Sequence, residues 1–496
     1  MDTSPQFEEN MLTVTATSAA AEVPSLPAAG LARNRARFER FTNASEMAAD
    51  FLAVFAALLS AYGLYHVSHL GRQLAYSRSG ILEVSGIFAL ICVWLLERSG
   101  AYRRESSLLL VKETERILRA SMQAFLGALC LSLFTSHLIS RWVIVLAFLF
   151  VPLFLILEKR GVASFVGALH SKGYGLRRVA IYGAGLTGRR IFSTLSRSRK
   201  LGFEPIVFVD DDTSLAGQEI FEAGYTKRRS IAITQGPLTR DWLRRNAVDL
   251  LVIAIPSIVQ DKFDSIVNEA STAGVAISFV PHHFALWDHW INFVDLDGML
   301  LASFERPESH DGYNTMKRGM DLVAGSILLV LASPLLLLIA LAIRVTSSDP
   351  VLFVHERVGL NGKCFRMFKF RTMHVDAKPY AVSPQESLDP RITRLGQFLR
   401  RTSLDELPQL LNVIRGEMSL VGPRPEMKFI VEQYTQEQRQ RLAVKPGITG
   451  LWQLSADRRF LIHQNIEYDL YYIRNRNFFM DMAILFHTLF FAMRGI

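Results

Sequence analysis

Cysteine is scarce in this 496-residue chain, with Cys92, Cys130 and Cys364 as the full set of three. They are too scattered for a disulfide framework or a thiolate zinc site. His282, His283 and His289 cluster beside Trp287 and Trp290 but lack a metal-ligand partner set, so they read as interface packing. No basic stripe with interleaved aromatics appears, which argues against a nucleic-acid partner. No apolar run opens the chain. The first begins near Met47, after Arg33, Arg35, Arg37 and Arg40, so no signal peptide is expected. Internal repeats are missing as well, which excludes a solenoid.

What is abundant is apolar sequence in blocks. Half the residues are hydrophobic and the mean hydropathy is +0.21, which indicates an integral membrane protein. Residues 1–45 are expected as a disordered tail, its first part rich in Ala, Ser, Thr and Pro. Residues 46–160 follow as a four-helix membrane region with blocks at 47–67, 80–97, 119–139 and 141–158, each near the length a bilayer requires. Basic residues concentrate before the first block, between the second and third, and after the fourth at Lys159 and Arg160. By the positive-inside rule both ends of the bundle face the cytoplasm. The net charge of +9, with a basic surplus after Arg344, suits anionic lipid and a phosphorylated substrate.

Residues 175–300 alternate short apolar strands with helices, as in a Rossmann-like parallel α/β domain. The strand Val179–Tyr182 runs into Gly183, Gly185 and Gly188, and Asp210 ends the next strand. That spacing is a candidate nucleotide site. A redox enzyme would also need a Tyr-x-x-x-Lys pair on a nearby helix. The one match, Tyr313 and Lys317, lies far downstream at the membrane approach.

A fifth apolar block, 322–343, is interrupted by Ser333 and Pro334. Proline lacks the N–H a helix needs and opposes the carbonyl four residues back, so a sharp bend is expected. The two halves would be about 18 and 14 Å long, too short for either to cross a core of about 30 Å. A re-entrant helix-break-helix over about 321–344 keeps the rest of the chain on the cytoplasmic side.

The segment Thr402–Glu426 carries the chemistry. Asp405 and Glu406 are adjacent carboxylates upstream of a Gly422-Pro423-Arg424-Pro425 turn. A carboxylate nucleophile, a divalent metal and arginines are the parts of phosphoryl transfer through an aspartyl phosphate. Ser403 and Glu406 also fit a capping box, which would put Asp405 in the first turn of a helix; Pro408 argues that this helix starts slightly later. Arg424, fixed between two prolines, is the first candidate for a diphosphate, with Pro425 beside it and with Lys369 and Arg371 next.

Seven motifs in order carry a family resemblance: KRGMD (Lys317–Asp321), ERVGLNGKCF (Glu356–Phe365), KFRTM (Lys369–Met373), DPRITRLGQFLRRTSLDELPQLLNV (Asp389–Val413), SLVGPRP (Ser419–Pro425), KPGITGLWQL (Lys445–Leu454) and YDLYYI (Tyr468–Ile473). On these, residues 315–496 resemble the bacterial sugar transferase family of polyprenyl-phosphate hexose-1-phosphate transferases. The whole chain is similar to the large members that begin exopolysaccharide, capsule or O-antigen synthesis. The resemblance implies transfer of hexose-1-phosphate from UDP-hexose to undecaprenyl phosphate with release of UMP. It also implies Asp405 as nucleophile, Glu406 for Mg2+, an inner-membrane location with a cytoplasmic catalytic domain, and a homodimer.

A further family arginine follows the GITGLWQ segment. Here an ungapped match meets Asp457, and Arg458 is its candidate. The acid common after Asp376-Ala377 is replaced by Lys378. In the resembled family the glycine-loop domain is not the catalytic unit; it binds a regulatory nucleotide or only holds subunits together. The hexose leans to glucose over galactose. The expected fold class is therefore membrane α plus α/β, with four transmembrane helices, a Rossmann-like domain and a monotopic catalytic domain. Two competing readings are a membrane-anchored NAD-dependent nucleotide-sugar oxidoreductase and a non-enzymatic scaffold for polysaccharide export.

Overall fold

The computed structural model describes residues 14–16, 28–69, 77–102, 110–134, 140–197, 202–221, 230–255, 257–280, 290–296, 299–305, 311–346, 350–374, 391–455 and 466–494. The chain divides into two compact units, residues 1–108 with 120–304 and residues 109–119 with 305–496.

The N-terminal apolar blocks form α1 (Ala28–Val67), α2 (Arg78–Arg98), α3 (Leu110–Phe134) and α4 (Arg141–Ser171). Four described segments are long and apolar enough to cross a bilayer: Arg37–Val67, Arg78–Arg98, Arg141–Ser171 and, later, Gly312–Thr346. The block expected at 119–139 falls on α3, which is not among them. Its first turns carry Lys112, Glu113, Glu115, Arg116 and Arg119, and residues 135–139 lie outside the described residues.

Both outer helices run past the apolar blocks. Residues 28–45, expected in the disordered tail, belong to α1, and α4 continues to Ser171. Apolar composition marks only the part suited to lipid, whereas an established helix propagates at one hydrogen bond per residue. Lys159 therefore lies inside α4. Its Nζ donates to Asp50 Oδ2 at 2.7 Å and to Glu46 Oε1 at 2.6 Å, and Tyr102 also donates to Asp50 at 2.6 Å. A buried ion group of this kind penalises any slip of α1 against α4, because a shifted register would strand a charge.

The α/β part of this unit is a seven-stranded sheet ordered β1-β4-β5-β3-β2-β6-β7. The strands are β1 (Val14–Ala16), β2 (Arg177–Tyr182), β3 (Phe203–Asp210), β4 (Gln218–Phe221), β5 (Ser230–Gln235), β6 (Leu250–Ile253) and β7 (Ala276–Phe279). The five strands β5-β3-β2-β6-β7 are parallel. Counted alone in chain order they run 3-2-1-4-5, the Rossmann arrangement, with its switch point between β2 and β6. Helices α5 (Leu186–Arg197), α6 (Arg240–Arg245) and α7 (Gln260–Ala273) connect them. Strands buried on both faces explain the near-continuous apolar runs of β2 and β6. A two-stranded ribbon, β8 (Trp290–Leu296) and β9 (Met299–Glu305), follows.

The second unit opens with α8 (Asp311–Thr346), one helix assigned straight through Ser333 and Pro334. The expected break is thus not an interruption of the helix. Ser333 Oγ donates to Val330 O at 2.7 Å, satisfying a carbonyl that the proline cannot serve. Near its start, Lys317 and Tyr313 donate to Asp481, at 2.8 and 2.6 Å, and Arg318 donates to Val413 O and Ile414 O.

β10 (Leu352–Val358) and β11 (Cys364–Phe370) form an antiparallel ribbon running from Leu352↔Phe370 to Val358↔Cys364. After it come α9 (Arg394–Arg401), a 3-10 turn Leu404–Gln409, α10 (Leu410–Arg415), and the parallel pair β12 (Ser419–Val421) and β13 (Gly447–Thr449). Helices α11 (Glu467–Asn475) and α12 (Phe478–Arg494) close the unit. Val413, Met418, Leu420, Leu451, Tyr472 and Ile484 lie at the centre of its core.

Candidate active site

One buried amide seats the carboxylate pair. Asn412 of α10 is fully buried, its Oδ1 accepts from Phe368 N at 3.1 Å, and its Nδ2 donates to Arg366 O at 2.7 Å. These are backbone groups on the free edge of β11, so a side chain completes the ladder that no strand completes. The 3-10 turn just before α10 is thereby held beside the end of β11, where Lys369 sits.

The capping box expected from Ser403 and Glu406 is not formed. Ser403 adopts a left-handed backbone (φ 55°) and its side chain makes no cap. That conformation reverses the chain sharply after α9, and Pro408 defers the α-helix to Leu410 by leaving a 3-10 turn ahead of it. The freed Glu406 carboxylate turns to cations instead. Its Oε1 accepts from Lys369 Nζ at 2.7 Å and from Arg424 Nη2 at 3.0 Å.

The two neighbouring acids are driven in opposite directions. Burial alone would raise Glu406, but the Arg424 and Lys369 charges outweigh it and hold the carboxyl at about 2. Asp405 is pushed upward, first by burial and then by the Glu406 charge, against the pull of Lys369, Arg400 and Arg424. One environment thus keeps a permanent anion and, next to it, a more basic one. Such a split separates a charge-binding role from a nucleophilic role.

The Gly-Pro-Arg-Pro turn is positioned by backbone-to-backbone packing. A Cβ on Gly422 would lie 2.5 Å from Lys445 O, and one on Gly447 would lie 2.1 Å from Gly422 N. Arg441, nearly fully buried, donates to Arg424 O at 3.2 Å and to Asp469 Oδ2 at 2.7 Å. Val358 N donates to Glu426 O at 3.0 Å, tying the turn to β10. A cleft results, lined by Arg357, Lys369, Glu406, Gln409, Arg424 and Pro425 among others.

Of the expected site residues, Asp405, Glu406, Lys369, Arg424 and Pro425 come together. Arg371 does not join them: its Nε donates to Pro350 O at 2.8 Å and its guanidinium lies over the Phe353 ring. Arg458, Lys378 and the histidines 282, 283 and 289 lie outside the described residues. Sequence reasoning overlooked Arg357, Asn412, Arg441 and Asp469. All four stood in quoted or adjoining motifs, but nothing local says that their partners are so distant in the chain.

Residues 312–495 match the model of the bacterial sugar transferase family, and residues 97–281 match that of a CoA-binding domain. A UDP-glucose:undecaprenyl-phosphate glucose-1-phosphate transferase of Klebsiella pneumoniae is 34% identical over 339 residues, covering 66% of this chain and 70% of that one. An undecaprenyl-phosphate galactose phosphotransferase of Salmonella typhimurium is 30% identical over 433 residues, covering 81% and 85%. This chain belongs to the bacterial sugar transferase family. The sugar transferase is accordingly an enzyme, and its family region coincides with the unit that holds the polarised carboxylates.

The glycine loop of the sugar transferase is built as its spacing suggests. Gly183 takes φ 105°, and a Cβ on Gly188 would fall 1.9 Å from Gly183 O. Its polar groups, however, are already engaged. Asp210 Oδ2 accepts from Ala184 N at 2.7 Å and Oδ1 from Asp212 N at 3.0 Å. Tyr313 and Lys317, the residues that a redox reading would need, are both spent on Asp481.

The donor set suits a magnesium ion shared with substrate. Among the described residues no group of three or more His, Cys, Asp or Glu could hold a metal alone. Both cations on Glu406 use Oε1, so its second oxygen, Oε2, is the one a cation could take. Magnesium is commonly held by one or two carboxylates plus substrate phosphates.

Proposed function

We propose that this enzyme transfers hexose-1-phosphate, from UDP-glucose by preference, to undecaprenyl phosphate at the cytoplasmic face of the inner membrane, starting synthesis of an exopolysaccharide, capsule or O-antigen. The observation that carries this reading is the opposed pair: Glu406 held anionic by Lys369 and Arg424, and Asp405 raised beside it. The names of the relatives support the choice of substrates.

In the first step a carboxylate oxygen of Asp405 attacks the β-phosphorus of UDP-hexose. The bond from that phosphorus to the bridging oxygen breaks, and UMP leaves with the electron pair. An oxygen of undecaprenyl phosphate then attacks the same phosphorus and displaces the Asp405 carboxylate. Arg424 and Lys369 offset the repulsion between an anionic nucleophile and an anionic diphosphate. Glu406 would hold a magnesium ion, which when bound would supply further charge neutralisation at the phosphates.

The re-entrant course of α8 belongs to this reading. Ala324 and Leu329, before the proline, pack on the core around Val413 and Leu420, while Ile339 and Ile343, after it, pack on Phe370 and Leu399. Both halves therefore lie against one globular domain, which suits a helix that enters and returns on the same face. Accessibility of a C-terminal tag only from the periplasm would overturn that course. The Rossmann-like domain is assigned a regulatory or subunit-holding part in a homodimer, which crosslinking in native membranes tests.

The deciding assay measures UMP release from a panel of UDP-sugars in the presence of undecaprenyl phosphate and magnesium. UDP-glucose is expected to be consumed fastest. Consumption of no UDP-sugar would remove the transferase reading and leave the export scaffold. A nicotinamide absorbance change that survives deletion of residues 317–496 would establish the oxidoreductase instead.

A further inference from the structure

We propose that Arg357 is a second phosphate-binding residue of this site, placed opposite Arg424 to grip an anion that bridges the two guanidinium groups. The inference rests on the transferase reading above. Three features carry it.

The first is strand register. Arg357 on β10 stands opposite Phe365, while Lys369 on β11 stands opposite Phe353, so both side chains leave the same face of the ribbon. They sit four rungs apart, roughly 13 Å along the strands, with Met367 between them on the cleft wall. The second is the tether from Val358 N to Glu426 O. It brings the Arg424 turn against β10 next to Arg357.

The third is unsatisfied charge. Arg357 Nε is buried and has no hydrogen-bond partner. Both neighbouring carboxylates are engaged elsewhere, Glu406 by Lys369 and Arg424, and Glu426 by the Tyr434 hydroxyl. Three cations, Arg357, Lys369 and Arg424, thus line the cleft against one carboxylate, Glu406. Burial, and then the Arg424 charge, lower the Arg357 guanidinium to about 10. A buried cation beside another cation is unfavourable until an anion arrives. Phosphate is the anion that matches two forked donors.

Two substrates of the proposed reaction carry that chemistry, the nucleotide diphosphate and the lipid phosphate. The test is UMP release by full-length wild type, Arg357→Gln and Arg357→Lys, with UDP-glucose and undecaprenyl phosphate varied separately. Arg357→Gln is expected to raise KM for one of them by about tenfold or more, with the other within about twofold. A shift for UDP-glucose identifies the diphosphate as the anion, and a shift for undecaprenyl phosphate identifies the lipid phosphate. Arg357→Lys keeps the charge but not the fork, so an intermediate shift is expected. It also decides the matter if Arg357→Gln does not accumulate. Wild-type KM values for both substrates in Arg357→Lys, and in any Arg357→Gln that accumulates, overturn the assignment. Absence of UMP release by the wild-type chain overturns the transferase reading itself.

Discussion

Two acidic loops of this protein invite comparison, the one after β3 with Asp210, Asp211 and Asp212, and the one after α9 with Asp405 and Glu406. In the first, Asp210 accepts from backbone N–H groups and Asp211 from the Tyr182 hydroxyl and from Lys262. Burial by itself would raise Asp211, yet Tyr182 and Lys262 outweigh it and lower its pKa; Ser214 lowers Asp212. In the second loop the two acids diverge, and a cation of the cleft wall, Arg357, keeps an unpartnered Nε. A loop that satisfies its own polar groups has little to offer a ligand. A loop that leaves charge unbalanced retains the interaction energy for a substrate and its transition state.

The largest expected contrast is between two asparagine substitutions. Asp405→Asn should lower UMP release by more than about a thousandfold, since Glu406, the other carboxylate of the site, is held by Lys369 and Arg424. Full turnover in that variant would refute the covalent step. Asp210→Asn should change turnover by less than about twofold, because its partners are backbone N–H groups of the Rossmann-like domain.

Glu406→Gln should reduce kcat by about a hundredfold, through loss of the proposed metal ligand and of the charge that pairs with Lys369 and Arg424. The same variant sharpens the pH behaviour. In the proposed mechanism Asp405 must be anionic to attack, so the wild-type rate should fall on acidification as Asp405 takes up its proton. With its pKa raised, that fall lies above the ordinary aspartate range. Removing the Glu406 charge should move this acid limb to lower pH. An acid limb that stays in place would show that Asp405 does not feel its neighbour.

Asn412→Ala tests the frame rather than the chemistry. Stranding the backbone groups of Arg366 and Phe368 should cost about 2–3 kcal/mol, read as a lower thermal midpoint in detergent. A midpoint equal to wild type would mean that those groups find other partners. The smallest effect concerns acid stability. Glu406, depressed to about 2, contributes stability that is present above the unfolded carboxylate range and lost as pH falls toward 2. Glu406→Gln should therefore flatten stability over that window.

Much of the architecture is legible in the sequence. Apolar blocks revealed the membrane helices because lipid demands length and composition, both one-dimensional properties. The Rossmann-like sheet was legible from strand-glycine-helix order, and the carboxylate dyad from motif order. Helix ends were poorly legible, as residues 28–45 show, since helix propagation does not require apolar residues. The capping box at Ser403 failed because a side chain chooses the strongest partner in reach. Lys369 and Arg424 are charged and Glu406 is charged, so an ion pair outcompetes a cap.

The sequence by itself determined the family, the presence of membrane helices and the identity of Asp405, Glu406, Lys369 and Arg424 as parts of one site. Tertiary structure alone decided which cations meet Glu406, that Arg371 turns away to Pro350, that Asn412 completes the edge of β11, and that Arg357 Nε is left without a hydrogen-bond partner. The reason is physical. Periodicity and motif order report on neighbours along the chain, whereas pairing between charges depends on distance in space, and the contacts that set it here span from 18 residues for Arg424 to Glu406 to 46 for Asn412 to Arg366.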